Sequence, residues 1–187
     1  TVKIIQLEGG EFYHYGTSRE LLSSTLSVQN IVNDQNKIFH YKVKPHPAIF
    51  TQNCLTEITF TSDNSDVWIE NSHVNKRWTI SSRNIITGVP RNDWALSLKP
   101  GDCIDIIPIG ENKYVARTYD FHDSFKYVKV KEGDPFKANV FPITDDISLL
   151  GEIVDDMLNG KVPAHDGIEY ISAEAILRKA TLRTLFA

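Results

Sequence analysis

The sequence predicts a mainly β fold built from a structural repeat. Between positions 31 and 104, apolar pairs return at a constant interval of eighteen positions, and Asn53 and Asn71 keep the same interval. The pairs are Ile31–Val32, Ile49–Phe50, Val67–Trp68, Ile85–Ile86 and Cys103–Ile104. A fixed period of this length indicates stacked units, none of which can bury its apolar residues alone.

Two β architectures share this period. An interval of eighteen positions can be divided into three sides of six, as in a triangular parallel β-helix. It can also be divided into two strands at a spacing of nine, as in an antiparallel sandwich or barrel. The two asparagines favour the β-helix slightly, because identical side chains can form a ladder from turn to turn. From the residues alone, both architectures stay open.

The chain before the repeat, residues 1–33, is predicted to hold two short strands and one helix. Gly9–Gly10 is a tight-turn signal between the two strands, which end before Gly16. Thr17 and Glu20 match the T-x-x-E capping box, so a helix is expected over residues 18–29. The repeat domain itself is assigned to residues 34–120.

Residues 121–187 are predicted to form a linker and C-terminal helices. The stretch 125–139 is charged and rich in turn residues. Thr144 is the expected N-cap of a helix that Gly160 ends, and Ser172 starts a final helix. The apolar stripes of the two helices are Ile147, Leu150, Ile153, Val154 and Met157, and Ile176, Leu177, Ala180 and Leu182. Both stripes need a surface to pack on.

The composition of the chain argues against several classes of protein. The chain has 187 residues, 41% of them hydrophobic, and a net charge of −4, which gives no basic face for nucleic acid. No apolar run reaches the roughly 20 residues that span a bilayer. Cys54 and Cys103 do not form a disulfide framework, so a reducing, cytoplasmic compartment is expected. Because the chain starts at Thr1 and stops within an apolar helical pattern, we expect a fragment of a longer polypeptide.

Common catalytic and metal-binding motifs are absent. The sequence has no P-loop, no G-x-G-x-x-G, no H-E-x-x-H, no C-x-x-C and no G-x-S-x-G. His40 and His46 are read as surface histidines rather than metal ligands. The acidic pairs at 145–146 and 155–156 are read as a helix start and a solvated helix face. We therefore assign no catalytic residue and no metal site.

The tryptophans allow two interpretations. They offer a possible platform for stacking on sugar rings, but Trp68 lies in phase with the buried series. Burial in the core is therefore the preferred interpretation for Trp68 and for Trp94.

One segment is suited to an anion. A helix that begins near Thr17 presents unpaired amides and the positive end of its dipole. Arg19 adds a fork of donors for phosphate or carboxylate, and His14 and Ser18 add further polar hydrogens. The simpler interpretation is a capped helix whose arginine pairs with a surface acid.

Several phrases of the sequence resemble the fucose-1-phosphate guanylyltransferase/L-fucokinase family. They are FYHYGTSRELLSSTLSVQN, IENSHV, SSRNIITGVP, CIDIIPIGENKYVAR and YISAEAILRKATLRTLFA. The resemblance covers about residues 2–120 and 168–187. It implies a left-handed parallel β-helix in the middle of a longer chain, after a nucleotidyltransferase domain and before a sugar kinase. Neither the glycine-rich nucleotide loop nor the kinase motif is present, and residues 126–167 are shorter than the bifunctional type implies.

The resemblance also implies a function for the parent enzyme. That enzyme makes GDP-L-fucose from L-fucose-1-phosphate and GTP, and phosphorylates L-fucose with ATP in its bifunctional form. Mg²⁺ and the nucleotides are implied for the parent, with no cofactor in this fragment. His14, Gly16, Thr17, Ser18 and Arg19 are expected to border the sugar-phosphate pocket, while the fragment alone is expected to be an inactive scaffold. The alternatives are a carbohydrate-binding module and an oligomerisation module.

Overall fold

The computed structural model describes residues 2–6, 8–32, 48–124 and 136–181, with the side chains of 29–32 left aside. Three helices and nine strands lie in these ranges. In chain order they are α1 (Ser18–Val32), β1 (Ile49–Gln52), β2 (Leu55–Thr56), β3 (Val67–Glu70), β4 (His73–Val74), β5 (Ile85–Thr87), β6 (Asp102–Pro108), β7 (Tyr114–Asp120), β8 (Phe141–Thr144), α2 (Ile147–Leu158), β9 (Glu169–Ile171) and α3 (Ala173–Lys179).

The first strands form a β-solenoid of about three turns. Strands β1, β3, β5 and β6 stack in parallel on one side of the coil. Strands β2 and β4 stack in parallel on a second side, and a parallel bridge joins Thr79 to Ser97 on a third. The predicted parallel β-helix is thereby confirmed, and the sandwich alternative is wrong for these turns.

The constant spacing of the repeat has one exception. Ile49 pairs with Val67, and Ile85 pairs with Cys103, so both pairings follow the predicted interval. Between them, Ile85 pairs with Trp68 and not with Val67, so that turn is one residue shorter. The corners of the coil absorb the shift, because the left-handed residues after the strands are Asn53, Asn71 and Gly88.

Side chains on the two faces of the parallel strands enter different cores. Inside the coil lie Val67, Ile69, Ile86 and Ile104, all fully buried. On the outer face, Leu22 of α1 packs with residues of the parallel strands. These outer residues are Phe50, Ile85 and Cys103, joined by Ala48 and the partly buried Trp68. The alternation of a β-strand thus serves both the interior and the helix that covers the coil.

The C-terminal part closes the coil with an antiparallel sheet and α2. Strands β6, β7, β8 and β9 pair in that order, each antiparallel to the last. The predicted stripe of α2 is buried against the interior of the coil at Leu150, Ile153, Val154 and Met157. Helix α3 is capped by Ser172, as predicted, and buries Ile176. Among the described residues, no helix combines the length and hydropathy needed to cross a membrane.

Four local predictions are corrected or fall outside the description. Ile31–Val32 ends helix α1 and does not form a first strand, and the first strand of the repeat within the described residues begins at Ile49. No strand is found in residues 2–6 or 8–16, although Gly9 makes a turn there. Asp146, and not Thr144, caps α2, because its carboxylate accepts from the amides of Ser148 and Leu149. His40, His46, Leu182 and the loop 125–135 lie outside the described residues.

Candidate functional site

The start of α1 is organised as a cap. The Thr17 hydroxyl accepts from the Glu20 amide at 3.3 Å and donates to the Glu20 carboxylate at 3.0 Å. His14 Nδ1 lies 2.9 Å from the same carboxylate. The hydrogen bond from Thr17, with a smaller contribution from His14, lowers the pKa of Glu20. The T-x-x-E pattern therefore locates the first turn of the helix, as predicted.

Gly16 permits the close approach of the His14 ring. A Cβ at Gly16 would lie 2.2 Å from His14 Cε1, well inside van der Waals contact. The carbonyl of His14 also accepts from the Ser24 hydroxyl at 2.5 Å. His14 is thus folded back over the turn and anchored to α1 at its main chain.

Ser18 binds an acid of its own chain. Its amide lies 3.2 and 3.3 Å from the two carboxylate oxygens of Asp123, and its hydroxyl donates to the same group. A carboxylate at this position is stabilised by the free amide and by the helix dipole. Because Asp123 follows β7, the contact joins the start of α1 to the antiparallel sheet that follows the coil.

A cleft of about 330 Å³ opens beside this contact. It is lined by Tyr15, Gly16, Thr17, Ser18 and Leu21 from the α1 region and by Arg117, Tyr119 and Asp123 from the β7 region. The cleft therefore presents one guanidinium, one carboxylate and several hydroxyl groups.

Arg117 is held in this cleft by its neighbours. Its guanidinium lies 3.2 Å from the Asp105 carboxylate and 5.8 Å from the centre of the Phe141 ring. Thr87 donates to the other Asp105 oxygen at 2.8 Å. Burial raises the pKa of Asp105, while Arg117 and Thr87 oppose that rise. Burial also raises the pKa of Tyr119, the next cleft residue on β7.

The structure brings together three of the five residues predicted for the site. Gly16, Thr17 and Ser18 line the cleft, whereas His14 turns toward Glu20 and Arg19 is exposed outside the lining. Sequence reasoning missed the contribution of β7. The alternation of Arg117 and Tyr119 on one strand face was visible, but nothing in the sequence linked that face to residues 15–18.

Two of the three tryptophans are buried in the core. Trp78 and Trp94 are buried and stack with their ring centres 6.1 Å apart, and Trp94 Nε1 donates to the Ile147 carbonyl at 2.7 Å. Trp68 is partly buried, 5.7 Å from the ring of Phe50. The preferred interpretation is confirmed for Trp94.

In the described ranges, the acidic residues and the thiols form no further candidate site. There, no group of three or more His, Cys, Asp or Glu side chains could hold a metal ion. Asp156 contacts His165 at 2.8 Å on the solvated side of α2. Cys54 and Cys103 are both free thiols.

Comparison with known proteins gives a match along the whole chain. The whole chain is 41% identical to the L-fucokinase/L-fucose-1-P guanylyltransferase of Bacteroides fragilis. The chain spans about a quarter of that protein, 23% of its length. No protein-family model matches the chain, and no solved structure matches it. The resemblance predicted from the sequence is confirmed.

Proposed function

We propose that this relative of the L-fucokinase/L-fucose-1-P guanylyltransferase of Bacteroides fragilis is a segment of an enzyme that makes GDP-L-fucose. In this proposal the parent polypeptide joins L-fucose-1-phosphate to the GMP part of GTP. It also phosphorylates L-fucose with ATP, since the relative is named for both reactions. Mg²⁺ and the nucleotides bind to other domains of the parent. The observation that carries the proposal is 41% identity along the whole chain.

The role proposed for this segment is that of a scaffold. The interior of the coil is filled by side chains such as Ile69, Ile86 and Ile104, all at or near zero exposure. A substrate would therefore have to bind on the outer surface, where α1 and β7 meet. This packing supports a structural element that positions its neighbours, with no catalytic centre of its own.

The finer proposal is that His14, Gly16, Thr17, Ser18 and Arg19 border the pocket for L-fucose-1-phosphate. Three of them line the cleft beside β7, and Arg19, which follows Ser18 in the chain, is exposed. Because Asp123 already binds the Ser18 amide and Asp105 already pairs with Arg117, the positive charge for a phosphate must come mainly from Arg19. This assigns the phosphate to side chains more than to the helix amides.

Replacing Arg19 by Ala in the full-length parent tests the finer proposal. A hydrogen bond to a charged group contributes about 1.5–3 kcal/mol, so the KM for L-fucose-1-phosphate is expected to rise about 10- to 100-fold. The KM for GTP should stay unchanged. Arg178→Ala, at an exposed arginine of α3, is the matched control. An unchanged KM for L-fucose-1-phosphate in Arg19→Ala would refute the assignment.

The scaffold role is tested by comparing the isolated chain with the full-length polypeptide. Both are incubated with GTP, L-fucose-1-phosphate and Mg²⁺, and GDP-L-fucose is measured. We expect product only from the full-length polypeptide. Absence of product from a folded full-length polypeptide would contradict the guanylyltransferase assignment, and product from the isolated chain would contradict the scaffold role.

The carbohydrate-binding alternative gains no support from Trp78 and Trp94. Trp78 and Trp94 are 4% and 6% exposed, so their rings are not offered to a sugar.

A further inference from the structure

Exposed apolar side chains are concentrated in front of α1. Of the eight large hydrophobic residues that are exposed in the described ranges, five lie there: Val2, Ile4, Ile5, Phe12 and Tyr15. Ile4 is 95% exposed and Phe12 is 86% exposed. Such a concentration is typical of a surface that another protein surface covers.

Residues 11–14 of this segment also have the side-chain geometry of a strand. The rings of Phe12 and His14 stack on one another at 6.0 Å, while the Tyr13 hydroxyl donates to Glu11. Contacts between residues i and i+2 indicate an extended backbone whose side chains alternate between two faces. Within the described ranges, no strand pairs with this segment. Apart from the His14 carbonyl, which accepts from Ser24, its backbone therefore presents unpaired amide and carbonyl groups, as an isolated edge strand does.

The segment is attached to the coil at its end. The Ser24 hydroxyl holds the His14 carbonyl, and Asp123 holds Ser18. These contacts fix where the extended segment leaves the body of the chain. They leave Val2, Ile4 and Ile5, at 85–95% exposure, without cover.

We infer that residues 2–6 and 8–15 form an interdomain strand segment, two extended stretches divided by the turn at Gly9, that adds to the edge of a β-sheet in another domain of the same polypeptide. The inference rests on the proposed function, because the related protein is more than four times as long as this chain. The occupant is a sheet edge with apolar side chains on both faces, since Ile4 and Ile5 point to opposite sides of an extended chain. Main-chain hydrogen bonds would then satisfy the unpaired groups.

Hydrogen–deuterium exchange tests the inference. Exchange of the amides of residues 3–6 and 8–15 is measured in the isolated chain and in the full-length polypeptide. We expect fast exchange in the isolated chain and exchange about 100-fold slower or more in the full-length polypeptide, as in paired sheet amides. Equal rates in the two proteins would overturn the inference.

Synthesis of GDP-L-fucose is measured on the same full-length preparation, which separates the two proposals. Slow exchange without product would contradict the proposed function and leave the strand segment intact. Product with fast exchange would contradict the strand segment only. Protection gained by the isolated chain through dimer formation, without further protection in the full-length polypeptide, would make a second copy the occupant and overturn the inference.

Two matched variants add a second readout. Phe12→Glu places a charge in the segment, whereas Leu177→Glu places the same charge on α3 at a residue that is 72% exposed. We expect Phe12→Glu to restore fast exchange to the segment in the full-length polypeptide and Leu177→Glu to leave it protected. Equal protection in both variants would count against the strand segment.

Discussion

Gly88 occupies a corner of the coil that no other residue type should tolerate. Its φ is +70°, in the left-handed region, and it follows β5 where Asn53 and Asn71 follow β1 and β3. A Cβ at Gly88 would lie 2.0 Å from the carbonyl oxygen of Ile106. This contact arises because β5 ends at Thr87, the partner of Asp105. Strand β6 continues through Ile106 to Pro108, so Ile106 lies beside the corner at Gly88.

The cost of Gly88→Ala follows from these two features. A Cβ in the left-handed region costs about 1–2 kcal/mol. Overpacking against a fixed neighbour costs about 1–3 kcal/mol more. Ile106 cannot move freely, because it is fully buried and pairs with Ala116 of β7. We therefore expect a loss of about 2–5 kcal/mol in the free energy of unfolding.

Urea unfolding of the isolated chain measures this loss. Asn71→Ala is the matched control, since it places alanine at the preceding corner with φ +47° and removes only the hydrogen bond with Asn53. The control should lose about 1 kcal/mol. The urea midpoint of Gly88→Ala should fall further, with an unchanged slope. If Gly88→Ala is no less stable than Asn71→Ala, the stacking of Ile106 over Gly88 is not as described.

Four further predictions concern packing, thiol chemistry and the pH dependence of stability. Gly151→Ala should lower the stability by about 1–3 kcal/mol, because its Cβ would lie 2.5 Å from the Trp94 ring. Thr118→Val should raise the stability by about 1 kcal/mol, since the buried Thr118 hydroxyl has no hydrogen-bond partner in the described ranges. At pH 8, iodoacetamide should label Cys54 before Cys103, because burial raises the pKa of Cys103 to about 12. The Cys103 thiol loses its proton at a higher pH in the folded state than in the unfolded state. The contribution of the protonated thiol to stability is therefore present below pH 9 and is lost as the pH rises toward about 12.

Each of these predictions has an outcome that would contradict it. The control for Gly151→Ala is Ser148→Ala, one turn away on α2 at an exposed position, and it should change the free energy of unfolding by no more than about 0.5 kcal/mol. Equal losses of stability in the two variants would refute the Trp94 contact. A destabilised Thr118→Val would indicate that the hydroxyl is satisfied. Equal labelling rates of the two thiols in the folded chain would contradict the burial of Cys103. So would a free energy of unfolding that does not fall as the pH rises from 9 toward about 12.

The repeat was predictable because it depends on residues that recur along the chain. Apolar side chains at 49, 67, 85 and 103 must all enter the stack of parallel strands, and the sequence alone locates them. The exact pairing was less accessible. One residue is missing from the turn between Trp68 and Ile85, and a corner loop can absorb that change without altering the apolar pattern.

Predictions failed where local and long-range forces compete. Ile31–Val32 fits the period of the apolar pairs, yet the helix that Thr17 caps continues through it to Val32. Strands β8 and β9 have four and three residues, too short for a periodic signal, and form only because β8 pairs with β7 and β9 pairs with β8. The domain boundaries at residues 33 and 120 stay predictions.

Only the α1 side of the candidate cleft could be predicted from the sequence. The capping pattern around Thr17 is local, so the sequence located the α1 side. Arg117 and Asp123 come from the β7 region, much later in the chain, and are brought there by the coil and by the contact of Asp123 with Ser18. No spacing in a single sequence encodes that contact.

Calorimetric titration of the isolated chain with L-fucose-1-phosphate tests the central claim most directly. A scaffold that only borders the sugar-phosphate pocket should give no heat of binding by itself, whereas the full-length polypeptide should give a saturable signal. Saturable heat from the isolated chain would show a complete binding site within these 187 residues and would contradict the account.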